Sequence, residues 1–517
     1  MRGVFKMAAD QRDGQGRLAK NTIFSMIGWF FPLVLGFVAT PVLVTGLGPE
    51  QYGILAVILG FLSYSFTFGT GKVVAKFIPE YRAAGEYGKL SEVVSATLVF
   101  SLVIGLIGSI AIAVLANYIV SNILLIPTES QDAASKAFYF ASATGLALMI
   151  GQAFQYLLQG LHRFGSYVLL TNLNGVLLAA GNITLVLNGF GIVAIMAWSF
   201  FVAALIGVLF FVNARRALPE LKVDFRVNKA VLREVAKYGS NIILFQIFAN
   251  ILYIFERAWV TRKFGPQALT YYAVPMLLAI YMHGIVASFA QAIFPRVNEL
   301  LNDRVGLTRL YQRATKIVLA VVAFIGASYV IAGKVFLSLW VSAEFSTNAY
   351  DLLVIHSVTF ALLAIGIMPL QIAEAFRFSR LTVVITFSWM LIGVPLMILS
   401  ADVWESEGIG ISRLAVVVLT FPLILYVEKR FLGQVFSQFW LAALARICLA
   451  TVAFSFVGYQ IFLRFPGGWL TLFVGITVCG LLYAGLLFLT GYFTRADKDM
   501  IRDLFARGRW FSSAADS

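Results

Sequence analysis

The chain has 517 residues, of which 60% are hydrophobic and only 12% charged, and its mean hydropathy is +0.88. A chain this apolar cannot present a water-compatible surface, so a soluble globular protein is excluded and lipid is its expected solvent. The formal net charge of +14 lies in short strips beside apolar runs, which points to anionic lipid headgroups and away from nucleic acid.

Runs of about 20 apolar residues are each long enough, as helices, to cross ~30 Å of hydrocarbon. Fourteen are read, at 21–46, 52–77, 92–116, 136–160, 167–188, 190–213, 239–261, 268–294, 314–335, 349–375, 381–400, 408–427, 440–462 and 468–491. The first is too long for the apolar region of a signal peptide and no small-residue cleavage site follows it, so it is expected to stay as a helix. Between the first two runs lies Gly48-Pro49-Glu50-Gln51-Tyr52-Gly53, and Gly265-Pro266-Gln267-Ala268-Leu269-Thr270-Tyr271-Tyr272 echoes it 217 positions later. Phe77-Ile78-Pro79 and Ile293-Phe294-Pro295, Arg163-Phe164 and Arg377-Phe378, and Gly191-Ile192 and Gly408-Ile409 keep offsets of 214 to 217. Four echoes at one spacing indicate two homologous halves.

The expected fold class is all-α: a polytopic membrane protein of about 14 transmembrane helices, with two pseudo-symmetric six-helix lobes plus two extra C-terminal helices. The expected domains are a first lobe at 1–213, a basic cytoplasmic connector at 214–238, a second lobe at 239–427, two further helices at 428–491 and a cytoplasmic tail at 492–517. Within the connector, Pro219, a helix start at Asn228, and Val231, Leu232 and Val235 interleaved with Arg233 and Lys237 suggest a short interfacial helix. Placing the N-terminus in the cytoplasm puts 31 of the 39 Lys and Arg on that side, the bias that orients membrane proteins. The other side carries acids: Glu50, Glu129, Asp132, Glu344, Asp351, Asp402, Glu405 and Glu407. Connections there are short, as at Asn188-Gly189, and leave no room for an extramembrane catalytic domain. An enzyme is therefore not expected. No phosphate-binding Gly loop ending in Lys-Ser or Lys-Thr is present, and no cofactor is implied.

The stretch GLGPEQYGILAV, then FGTGKVVAKFIPEYRAAGEYGKL at the end of span two, and YLLQGLHRFGSYVLLTNLNGVL across spans four and five, together resemble the polysaccharide transporter family. That family holds O-antigen and exopolysaccharide flippases, in a superfamily shared with multidrug extruders and lipid II flippases. The resemblance implies transfer of an undecaprenyl-diphosphate-linked oligosaccharide across a bacterial inner membrane. It implies two lobes rocking about a cavity lined by helices one, two, seven and eight, with membrane lipid, a glycan polymerase and a chain-length regulator as further partners. Pro32, Pro41, Pro275, Pro369 and Pro395 are candidate bend points for such rocking. A cation-coupled multidrug antiporter is the alternative. Yet Ile23 to Gly46 contains no Asp, Glu or His, where such extruders often place a cation-binding acid. A noncatalytic scaffold of a glycan assembly complex is a third reading.

A lipid-linked diphosphate needs cations in the membrane, and its sugars need amides, hydroxyls and aromatic faces. Lys72 and Lys76, one helical turn apart near the inner end of span two, are candidates for diphosphate capture, or else anchors that snorkel to the headgroups. Gln246, Asn250, Tyr253 and Arg257 in span seven form one helical stripe, read as a polar wall of the cavity. The competing reading is a buried ion pair that holds neighbouring helices. Gln155, Gln159 and Arg163 of span four fit sugar contacts, although interhelical hydrogen bonds are the commoner use of membrane amides. Glu256 and Glu374 are the acids placed to bind a coupling ion. His283 is the further ion-coupling candidate, against the commoner role of a packing histidine.

Overall fold

A computed structural model describes residues 31–66, 71–221, 223, 229–465 and 467–493, without the side chains of 71–73, 75, 76, 229–232 and 234–243. Every regular element among the described residues is helical. In chain order these are α1 (Phe31–Leu47), α2 (Pro49–Ser65), α3 (Gly71–Ala83), α4 (Tyr87–Tyr118), α5 (Thr128–Gly160), α6 (Phe164–Leu187), α7 (Ile192–Ala217) and α8 (Lys229–Glu299). There follow α9 (Arg304–Trp340), α10 (Ala343–Ile365), α11 (Ile367–Ala375), α12 (Arg380–Val418), α13 (Phe421–Val427), α14 (Ser437–Arg464) and α15 (Trp469–Leu489). Single π-helical turns, Ile119–Ile123 and Glu428–Leu432, finish α4 and α13.

Ten helices among the described residues are long and apolar enough to cross a membrane. Two of those spans, Leu244–Glu299 with 56 residues and Arg380–Leu432 with 53, have about twice the length one crossing needs. Each is a pair of helices joined at a backbone break, at Gly265 (φ 84°, ψ 169°) in α8 and at Trp404 and Glu405 in α12. Counting each pair as two and adding the shorter apolar helix α1 gives thirteen apolar passes among the described residues, against fourteen read from hydropathy; α2, of 17 residues, stands where the second was expected but ends at Ser65, short of position 77. The protein is thus an all-α, multi-pass membrane protein. Its outer surface agrees: Leu489 is 85% exposed, Leu470 78% and Val114 75%, tolerable only where lipid is the solvent.

The described helix is present from Lys229; the expected start at Asn228 lies outside the described residues. From there it runs on into the seventh span without interruption, so the described part of the connector holds no separate interfacial helix. The first ten residues of the first expected span, the connector residues 222 and 224–228 and the tail from 494 lie outside the described residues.

Turn geometry repeats with the sequence echoes. Positive φ angles occur at Gly48 (79°) and Gly265 (84°), 217 residues apart; at His162 (57°) and Arg377 (60°), 215 apart; and at Gly189 (78°) and Glu405 (49°), 216 apart. Left-handed backbone is uncommon outside glycine, so its recurrence at the echo spacing is the backbone counterpart of the repeat.

By internal contacts the chain forms two compact units. The first joins Met1–Val274 to Ser379–Val416. In it α5 packs against α4 and α7, over a core that includes Ile78, Leu90, Val94, Leu157, Leu158, Val202 and Phe210. The two Gly-Pro echoes meet there: a Cβ on Gly53 would lie 1.7 Å from the Pro266 carbonyl oxygen, and the Thr270 hydroxyl donates to the Pro49 carbonyl. Only glycine permits that crossing. The second unit joins Pro275–Phe378 to Val417–Ser517. There α9 packs on α10 and α14, and the Tyr483 hydroxyl donates to the Ala320 carbonyl at 3.0 Å.

Candidate functional site

The polar stripe of span seven lies on the first limb of α8, before the break at Gly265, and belongs to the first unit. Gln246 Nε2 donates to Asn250 Oδ1 at 2.8 Å, which places the two amides on one face as the four-residue spacing requires. Asn250 is 5% exposed.

One turn further on, Tyr253 stacks on Tyr64 of α2, with centroids 4.8 Å apart and planes 5° from parallel. A cation lies over each ring of this pair. The Arg413 guanidinium of α12 lies 4.2 Å from the Tyr253 centroid and that of Arg257 lies 5.3 Å from the Tyr64 centroid. The contacts run from Arg413 to Tyr253, from Tyr253 to Tyr64 and from Tyr64 to Arg257. Each contact places positive charge over the negative face of a ring, an attraction that strengthens out of water. The Tyr253 ring is engaged by both Tyr64 and Arg413.

Glu256, beside Arg257 in sequence but turned to another side of α8, is fully buried. Its two oxygens accept from the Arg413 guanidinium and from the Tyr272 hydroxyl. Arg413 is equally buried, with 6% of its side chain exposed. A buried charge needs both a counter-charge and hydrogen bonds, and this trio supplies them while tying both limbs of α8 to α12. The buried ion pair raised as the competing reading of the span-seven stripe is thus formed by Glu256, an ion-coupling candidate, with Arg413.

Arg257 is left as the net positive charge of this cluster. It is half-buried, and its Nη1 is fully enclosed yet has no hydrogen-bond partner. Gly60 of α2 makes room for it, since a Cβ there would lie 2.6 Å from Arg257 Cδ. An enclosed guanidinium nitrogen without an acceptor is costly unless an anion or water meets it.

The other sequence candidates are placed as follows. Lys72 and Lys76 sit on α3, but their side chains lie outside the described residues. Gln155 and Gln159 are half-buried on α5, and Arg163 is exposed at the N-terminal cap of α6. His283 and Glu374 belong to the second unit. His283 meets Phe360 edge-on at 6.1 Å, while Glu374 is exposed at the end of α11. Sequence reasoning passed over Tyr64, Tyr272 and Arg413. Arg413 did carry a signal, as the one charge in the apolar run Gly408 to Val427.

Residues 18–301, more than half of the chain, match the family model described as polysaccharide biosynthesis protein. The chain belongs to that family. It is 20% identical over 401 residues to a Shigella flexneri protein provisionally assigned as an O-antigen transporter, covering 76% of this chain and 94% of that one. Among solved structures, the lipid II flippase MurJ in an inward closed conformation superposes with a TM-score of 0.73 at 14% identity, over 93% of this chain and 99% of MurJ. An inward-facing multidrug resistance transporter of the MATE family, in the MOP superfamily, gives 0.65 at 15% identity over 78% and 99%. At such identities the two structures establish the fold alone.

Proposed function

We propose that this protein is a flippase that moves an undecaprenyl-diphosphate-linked oligosaccharide from the cytoplasmic to the periplasmic leaflet of a bacterial inner membrane, by alternating access. Its product feeds O-antigen, capsule or exopolysaccharide assembly, where a polymerase and a chain-length regulator act next. Both termini are cytoplasmic in this reading, in keeping with the basic strips.

The observation that carries the proposal is Arg257: a half-buried cation on a membrane helix, whose Nη1 is enclosed and unpartnered, with space cleared by Gly60. A diphosphate supplies the missing acceptors and charge, and a charge inside a membrane ordinarily marks a substrate path. Family membership and the Shigella relative support a glycan-linked cargo. Lys72 and Lys76 are proposed as the first diphosphate contacts, with Gln246, Asn250, Gln155, Gln159 and Arg163 as polar groups along the oligosaccharide's path. Glu374 and His283 are the proposed coupling groups. Glu256 joins them only through a step that separates it from Arg413.

Deleting the gene in a strain without a redundant exporter is expected to strand undecaprenyl-linked glycan on the cytoplasmic face. Arg257→Gln, expressed at the normal level, is expected to restore less than a tenth of the translocated glycan, and Lys72→Ala and Lys76→Ala to weaken rescue further when combined. Normal leaflet distribution in the deletion strain would overturn the function. Full rescue by all three variants would remove the residues and leave the function standing.

A further inference from the structure

We infer that Arg413 is a positioning residue for the anion site at Arg257, acting through the Tyr253–Tyr64 stack. This rests on the reading of Arg257 as a diphosphate ligand. Arg413 lies on α12, where it serves two neighbours at once: it donates to Glu256 and it covers the face of Tyr253. Tyr253 in turn lies flat on Tyr64 at 4.8 Å, and the Arg257 guanidinium lies over the Tyr64 ring. Three helical segments thereby contribute to one column, and the only member with an enclosed donor left unpartnered is Arg257, at its end.

The column settles two problems that an anion site inside a membrane must solve. A flexible arginine has many rotamers, and ordering one on ligand arrival weakens binding. Arg257 is held beforehand between the Tyr64 face and the notch at Gly60. The neighbouring carboxylate is the second problem, since an uncompensated Glu256 would repel an arriving phosphate. Arg413 and Tyr272 occupy both Glu256 oxygens. The same guanidinium therefore neutralises the repulsion and clamps the aromatic pair. Lysine at position 413 would keep the first action and weaken the second, because an ammonium brings the charge without the planar face that lies flat on a ring.

The test uses the full-length protein purified in detergent, with undecaprenyl diphosphate as the probe and thermal unfolding measured alongside. Arg413→Lys is expected to bind at least tenfold more weakly while its melting temperature stays near that of the native protein. Tyr64→Leu leaves Arg413 and Glu256 untouched and is expected to show a similar loss, so it carries the test should the Lys variant fail to fold. The double variant Tyr64→Leu/Arg257→Gln is expected to bind no more weakly than Arg257→Gln alone, because Tyr64 acts only through Arg257. A purely structural column would instead give additive losses that follow the melting temperature, and that pattern overturns the inference. Native affinity in Tyr64→Leu also overturns it. Unchanged affinity in Arg257→Gln takes away the anion site itself, which is a failure of the underlying reading and separates the two.

Discussion

Glu256 and Glu428 are both fully buried glutamates on apolar helices, each in a different compact unit, and each has its oxygens occupied by different chemistry. Glu256 faces a guanidinium and a tyrosine hydroxyl. Glu428, in the π-helical turn after α13, is met by neutral donors: Oε1 accepts from the Tyr311 hydroxyl at 2.8 Å and Trp440 Nε1 at 2.7 Å, and Oε2 from the Phe436 amide at 3.0 Å. The Glu428 set joins α9, the turn and the start of α14, and among its described hydrogen bonds no cation takes part. It reads as a fastener. The Glu256 set includes a cation shared with an aromatic column that leads to an arginine with one unpartnered nitrogen, so a structural tie there also bears on a candidate binding group. The distinction lies in whether the groups around the acid are used up by it or lead on to something else.

The sharpest way to break the comparison is to remove one charge of the Glu256 pair. Glu256→Gln leaves Arg413 enclosed in the membrane without its counter-charge, and loss of one member of a buried pair costs about 3–5 kcal/mol. Such a loss is expected to appear as a large drop in folded yield and melting temperature. The double change Glu256→Gln/Arg413→Leu strands no charge and is expected to recover most of that stability, since a buried pair replaced by neutral groups is often close to neutral overall. A double variant as unstable as the single one would show that the pair's charge is not what matters.

Much of this was legible in the sequence, for identifiable reasons. Hydropathy located most of the passes among the described residues, because a lipid solvent demands about twenty apolar residues per crossing. It misplaced the ends: α9 runs from Arg304 to Trp340 against an expected 314–335, since backbone hydrogen bonding continues where side chains turn polar. The echo of Gly48 at Gly265 foretold a shared backbone conformation, yet the contact of Gly53 with the Pro266 carbonyl is tertiary and no spacing reveals it. The stripe Gln246, Asn250, Tyr253 and Arg257 was readable because one helix fixes its geometry. Tyr64 and Arg413 were not, since each lies more than 150 residues from Arg257 in the chain. Glu428 was hidden by its neighbours Lys429 and Arg430, which make the segment look like another basic strip.

A smaller effect is expected on the other side of the comparison. Glu428→Gln strands no counter-ion, but it turns one accepting oxygen into a donating amide that faces other donors. The penalty for such a mismatched buried group is about 1–3 kcal/mol, below that of Glu256→Gln, and thermal unfolding of the two variants side by side measures the order. A larger loss at Glu428 than at Glu256 would reverse the assignment of which acid sits in a charge pair and which in a neutral cradle.

The smallest change isolates one donor. Tyr311→Phe removes the hydroxyl that reaches Glu428 Oε1 while leaving Trp440 Nε1 on that oxygen and the Phe436 amide on the other. Interhelical hydrogen bonds inside membranes average only about 0.6 kcal/mol, so a shift of that size in unfolding is expected, with transport unaffected. Tyr272→Phe is the matching change at Glu256, because it too removes one hydroxyl from a carboxylate oxygen. There a transport defect is expected in addition to a similar stability loss, because the carboxylate it loosens shares Arg413 with the column that holds Arg257. If both phenylalanine variants transport normally at equal stability, the link from acid to column carries no function and Glu256 is a fastener of the same kind as Glu428.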